Sequence, residues 1–183
     1  MSGAQLPDIR PSELFAALLR HDVRFLVVGG IGAQLHGATR RTDDLDVCVP
    51  WTRDNFDLLA AALEDLDARL DVAADLGDLQ VRPSAALLAR MSMTRWHTRA
   101  GVLDVLHDIP AGDSGESRDF RQLEHRAVAT PSEGGGTVLV AALDDIIASK
   151  KHADREKDRE ALPELYALRD RVTADESQDE EIQ

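Results

Sequence analysis

The stretch that most constrains this chain runs from Phe25 to Val49. Phe25-Leu-Val-Val is closed by Gly29-Gly30, and after thirteen further residues comes Asp44-Leu-Asp46-Val. An apolar run rich in β-formers and stopped by two glycines reads as a buried strand, here Arg24 to Val28. Asp44 to Val49 alternates polar with apolar residues and ends at Pro50, which reads as a second strand. Side chains two apart on a strand share a face. Asp44 and Asp46 therefore stand side by side, with Leu45 and Val47 turned into a core. Adjacent carboxylates repel each other, so such a pair wants a cation. An oxygen-only donor set suits Mg²⁺, which keeps several waters and leans on substrate phosphates.

A third carboxylate would complete a two-metal site. Asp104 is the candidate, because it lies within the apolar run Val102-Leu-Asp-Val-Leu106, where an unpaired charge is costly. The alternative reading of Asp104 is the partner of a buried arginine. Asp108 has the same parity but sits near the strand end.

The remaining elements frame these strands. Pro11 to Arg20 reads as an amphipathic helix with Pro11 at its start, and Ile31 to His36 as a short helix closed by Gly37. Thr52 can cap a helix from about Arg53 to Leu66. Short strands are expected at Leu70 to Ala73 and Leu79 to Val81, and a helical or loop element at Ser84 to Met91. Thr94 to Arg99 and Val102 to Ile109 read as strands hinged by Ala100-Gly101, with Ala111 to Ser117 a loop. Val138 to Val140 reads as a strand, followed by a helix from Leu143 to His152. A helical stretch then starts near Arg155, and Pro163 is expected to open a new helix, because proline is costly inside one.

With 183 residues the chain can bury roughly 70% of its unfolded surface, enough for one domain with a small appendage. Its net charge of −13 argues against broad attraction to nucleic acid or anionic membrane. A local basic strip is compatible with that charge, with Arg90, Arg95, Arg99, Lys150, Lys151 and Arg155 as its members. The single Cys48 excludes an intrachain disulfide, and His36, His97 and His107 show no zinc spacing. Neither a leader peptide nor a membrane span is expected, so the chain reads as cytoplasmic with no membrane partner. Two phosphate-loop alternatives fail. A dinucleotide fingerprint needs a third glycine where Leu35 stands, and no Gly-Lys-Ser/Thr follows the first strand.

In order and spacing, Gly29, Gly30, Asp44, Asp46 and Asp104 resemble the nucleotidyltransferase superfamily that shares its fold with DNA polymerase β. Downstream, Ala142-Leu-Asp-Asp-Ile-Ile-Ala-Ser-Lys150 and Arg155-Glu-Lys157-Asp158 resemble the C-terminal helical segment of the bacterial AbiEii-type branch, which includes toxins of toxin–antitoxin pairs. The resemblance implies an α+β fold: a small mixed β-sheet core with flanking helices and a short C-terminal helical segment. The expected division is a catalytic core over 1–133, a helical segment over 134–173 and a disordered acidic tail over 174–183. It also implies transfer of a nucleoside monophosphate from an NTP to a hydroxyl. Asp44, Asp46 and Asp104 would hold two Mg²⁺, and Gly29-Gly30 would let the triphosphate approach. Lys150 would contact that triphosphate, with Arg41, Thr42, Lys157 and Asp158 as further nucleotide-binding positions. The acceptor is then a tRNA 3′ end, with an antitoxin as partner, or an aminoglycoside-like small molecule. The competing reading is a non-catalytic nucleotide- or protein-binding module of the same fold.

Overall fold

The structure is a computed structural model that describes residues 8–72, 81–111, 116–133 and 135–180. Helix α1 (Pro11–Arg20) opens on a proline and buries Leu14, Phe15, Ala17 and Leu18. Strand β1 (Leu26–Val28) runs straight into helix α2 (Gly29–Leu35), and β2 (Asp44–Cys48) returns beside β1. Helix α3 (Arg53–Asp65) starts at Thr52, whose hydroxyl accepts from the Asn55 amide as expected of a cap. Asn55 is itself buried. It accepts from the Arg24 amide at 2.8 Å and donates to the Arg24 carbonyl at 3.1 Å, which ties α3 to the start of β1.

The next elements are β3 (Arg69–Leu70), α4 (Ala85–Leu88), β4 (Met93–Thr98) and β5 (Gly101–Leu106). They are followed by β6 (Asp108–Pro110), β7 (Ser117–Asp119), α5 (Phe120–Glu124), β8 (Val128–Pro131) and β9 (Thr137–Val140). Helices α6 (Leu143–Ala153) and α7 (Glu156–Glu180) complete the chain. Seven strands form one mixed sheet in the order β3-β4-β5-β2-β1-β9-β8, and β6 pairs with β7 apart from it. Strand β2 lies antiparallel to β1 and parallel to β5. A parallel neighbour requires a long crossover, which α3 and the β3–β4 segment supply. Leu45 and Val47 on β2, with Leu103 and Val105 on β5, form the middle of the core, as the alternation predicts.

Several expectations needed correction. The strand expected to continue to Ile109 stops at Leu106, because Leu106 accepts from Val49 and the His107 amide donates to Ser92, turning the chain out of the sheet. The short β7 and β8 and the short α5 were not foreseen, since strands of three or four residues carry no period. The Asp119 capping box with Gln122 is the local signal that starts α5. The strand expected over 70–73 is only Arg69–Leu70, and most of the one expected over 79–81 lies outside the described residues.

Pro163 does not open a helix. It lies within the continuous α7, where burial of Ala161, Leu165 and Leu168 on the core outweighs the backbone hydrogen bond lost at the proline. The stretch expected as a disordered tail from 174 continues that helix as far as Glu180. The division expected at 133/134 falls inside the β8–β9 hairpin, both of whose strands belong to the main sheet. Among the described residues no helix is long and apolar enough to cross a membrane.

Leu45 is fully buried between the two strands that flank β2. Leu45→Ala is expected to cost about 3 kcal/mol of folding stability, the usual size for a core leucine truncation. Urea denaturation measures it, and a loss under 1 kcal/mol would place this strand outside the core.

Candidate active site

The site begins with register. Val28 lies opposite Asp46, and Asp46 lies opposite Asp104. Neighbouring strands sit about 4.8 Å apart, so Asp46 and Asp104 are immediate cross-strand neighbours. Asp44, two residues back, shares their face. All three line one cavity of about 520 Å³ together with Gly29, Gly30, Arg41, Thr42, Lys150, Lys157 and Asp158. The candidate metal- and nucleotide-binding positions of the sequence therefore line one cavity.

The glycines have a role that the sequence did not disclose. Gly29 has φ +61°, and a Cβ there would overlap the Asp46 carboxylate. A Cβ on Gly30 would lie 2.7 Å from the Thr42 side chain. Before any ligand is considered, the two glycines leave the space that Asp46 and Thr42 occupy. The Thr42 hydroxyl in turn donates to Asp44 at 2.8 Å, which fixes that carboxylate.

The cation found against the aspartates is Arg95. Its Nε donates to Asp104 Oδ1 at 2.8 Å, and its Nη2 to Asp104 Oδ2 at 2.7 Å and to Asp44 Oδ2 at 3.0 Å. Both sequence readings of Asp104 thus meet: it stands beside Asp46 and it is the partner of an arginine. The hydrogen bonds to Asp104 raise the Arg95 pKa above its already high value. Arg95 had been placed only in a basic strip. A stronger signal was present, because a hairpin turning at Ala100-Gly101 sets Thr98 opposite Gly101 and so Arg95 opposite Asp104.

Asp46 receives no hydrogen bond from that arginine. Burial raises its pKa first, the neighbouring Asp44 and Asp104 add to the effect, and Lys157 and Lys150 only partly offset it, leaving it at about 6. Among the described residues no group of three or more His, Cys, Asp and Glu side chains stands ready to hold a metal ion. The Arg95 fork engages both oxygens of Asp104 and one of Asp44. The donor chemistry is nonetheless that of a hard divalent cation, with three carboxylates on adjacent strands and a buried anion short of positive charge.

The opposite wall comes from α6 and α7. Lys150 Nζ lies 3.2 Å from Asp158 Oδ1, and Arg155 Nε donates to Asp158 Oδ2 at 2.6 Å. Burial works to raise the Asp158 pKa, but the hydrogen bonds from Arg155 and Lys150 outweigh it and hold it low. Asp158 is thus a fully buried anchor that aims Lys150, rather than a ligand-facing group. Arg41 and Lys157 form no ion pair among the described residues, so both are free for an anion. Six cations (Arg40, Arg41, Arg95, Lys150, Arg155 and Lys157) and six carboxylates line the cavity. A chain of net charge −13 therefore builds a locally balanced cleft.

The rest of the expected basic strip does not assemble. Arg99 turns to the Asp65 carbonyl at the far end of β4, and Arg90 and Lys151 are exposed outside the cavity. Cys48 is buried, donates to the His107 carbonyl at 3.3 Å, and has a thiol pushed up to about 12, chiefly by burial, so it is inert.

A carboxyl whose folded pKa exceeds its unfolded value favours folding when protonated. For Asp46 that contribution is fully present below about pH 4 and is lost as pH rises through about 6. In metal-free buffer Asp46→Asn is therefore expected to be more stable than wild type at pH 8, by about 3 kcal/mol. The advantage vanishes near pH 4. Thermal melts across pH check this, and a pH-independent difference would contradict it.

No family model and no curated protein sequence matches the chain. Solved structures do. The solution structure of the antibiotic-resistance factor ANT(2'')-Ia matches with 17% identity, 92% of this chain and 92% of that chain covered, and a TM-score of 0.50. The crystal structure of ANT(2'')-Ia in complex with adenylyl-2''-tobramycin matches with 17% identity over 88% of this chain and 94% of that chain, at a TM-score of 0.52. TM1012 from Thermotoga maritima is more distant, with 13% identity over 94% of this chain and 96% of that chain and a TM-score of 0.46. The chain has the α+β nucleotidyltransferase fold expected from its sequence, with a seven-stranded mixed sheet and flanking helices.

Proposed function

We propose that the chain is a Mg²⁺-dependent nucleotidyltransferase that moves a nucleoside monophosphate from an NTP onto an acceptor hydroxyl. The observation that carries this reading is the convergence of Asp44, Asp46 and Asp104 with Gly29-Gly30 and the cations of α6 and α7 around one cleft. Asp44 and Asp46 would hold Mg²⁺ with the triphosphate oxygens, and Asp104 would share a second ion. When bound, the ions neutralise the phosphates and lower the pKa of the attacking hydroxyl.

The protein's own share of the work is positioning and charge neutralisation. Lys150, aimed by Asp158, sits where it can meet the departing pyrophosphate. Arg41 and Lys157, which form no ion pair among the described residues, would complete the anion-binding side. The hydroxyl oxygen attacks the α-phosphorus, the α–β phosphoanhydride bond breaks, and the hydroxyl proton passes to Asp104 once that carboxylate is free of Arg95.

For the acceptor, a small aminoglycoside-like molecule is the better-supported choice. The overall charge of −13 repels RNA, and the basic strip that a tRNA would need does not assemble beyond the cleft. The fold shared with a protein solved around adenylyl-2''-tobramycin supports the same choice. A tRNA 3′ end, with an antitoxin partner, is the alternative that the AbiEii-type resemblance brings.

The test is incubation with Mg²⁺, each α-labelled NTP, and either a panel of aminoglycosides or total tRNA. Label is expected to transfer to a small molecule, and Asp46→Asn is expected to lower the rate at least about 100-fold, the scale for removing a principal transition-state contact. Transfer to tRNA alone would replace the acceptor. No transfer to any acceptor, with nucleotide still bound, would leave the binding-module reading.

A further inference from the structure

Arg95 is built into the carboxylate cluster rather than beside it. Strand β4 places its Cα opposite that of Asp104, and the guanidinium fork takes both oxygens of a carboxylate that is only 2% exposed. A third hydrogen bond reaches Asp44. An arginine fork on a carboxylate is among the strongest side-chain pairings, and the guanidinium never gives up its proton. Any other cation that binds Asp104 must therefore displace this one or share the carboxylate against its charge. Among the described residues no metal-ready cluster exists, although three carboxylates share the cleft.

The displaced side chain has somewhere to go. Its side chain is 41% exposed at the cavity, so it can swing on its stem without opening the core. The other cations of the cleft are divided between those already paired, Arg40 with Glu160 and Lys150 and Arg155 with Asp158, and those that are not, Arg41 and Lys157. A released Arg95 would leave the cleft with excess positive charge once metal had bound. Only a ligand carrying several negative charges restores the balance.

We propose that Arg95 is a resident counter-ion that competes with divalent cations for Asp104 and Asp44. A metal ion alone is held poorly, whereas a metal–nucleotide complex, whose phosphates receive the displaced guanidinium, is held well. The metal site is thus assembled by nucleotide rather than formed in advance, and free divalent cation does not occupy it unproductively. This inference rests on the nucleotidyltransferase reading, and it adds a role for a residue outside the three aspartates and the lysine.

Mn²⁺ binding, followed by the loss of its free electron paramagnetic resonance signal, tests the idea without reference to turnover. Wild type, Arg95→Gln and Arg95→Lys are each titrated with Mn²⁺ alone and with a non-hydrolysable NTP analogue. Arg95→Gln is expected to bind Mn²⁺ alone about tenfold more tightly than wild type, the usual effect of removing one close like charge. The analogue should raise wild-type affinity much more than that of the variant. Arg95→Lys keeps a cation without the fork, so it should fall between the two, and it serves if Arg95→Gln does not fold. Equal or weaker Mn²⁺ binding in the folded variants overturns the counter-ion role while leaving the enzyme reading intact. No Mn²⁺ binding by any of the proteins, with or without the analogue, overturns both.

Discussion

Strand β2 lies between β1 and β5, and its register with both decides where the three aspartates of the cleft meet. Held antiparallel on one side, it brings Asp46 against Val28 and the start of α2. Held parallel on the other, it brings Asp46 beside Asp104. A slip of one residue would turn both aspartates of β2 into the core and Leu45 and Val47 into the cleft. The fully buried Leu45, Val47 and Leu103 make that slip costly. The apolar residues that look like mere core are therefore what hold the acidic residues in alignment.

The electrostatics follow from that alignment. Three carboxylates on adjacent strands cannot all be ionised at little cost, and the protein resolves the conflict unevenly. Asp104 and Asp44 receive Arg95, while Asp46, which takes no hydrogen bond from it, is pushed toward protonation at about pH 6. Across the cleft the same problem has a different solution, because buried Asp158 is matched by both Lys150 and Arg155 and remains ionised. One wall is thus short of positive charge and the other is saturated. That asymmetry is what a ligand carrying both divalent cations and phosphates would meet.

Much of this was legible in the sequence, for identifiable reasons. The strand–Gly-Gly–strand element announced itself through glycine punctuation and period-two alternation, and the Thr52 cap and the Ala100-Gly101 hairpin through turn chemistry. The short strands β7 and β8 were not legible, because three or four residues carry no period and their pairing is non-local. Pro163 misled because a local penalty was weighed without the packing of Leu165 and Leu168 that overrides it. The glycines were read as room for a ligand, when sterically they first make room for Asp46 and Thr42. Arg95 was read as part of a basic strip, although counting back from the predicted hairpin would have set it against Asp104.

The account depends on divalent metal and triphosphate meeting at the carboxylates of β2. A crystal structure of the protein with Mn²⁺ and a non-hydrolysable NTP analogue, using the anomalous signal of the metal, tests that most directly. The expected result is a metal peak within coordination distance of both Asp44 and Asp46, with the triphosphate running past Gly29-Gly30 toward Lys150. Nucleotide bound elsewhere, or bound in this cleft with no metal and with Arg95 still on Asp104, would contradict it.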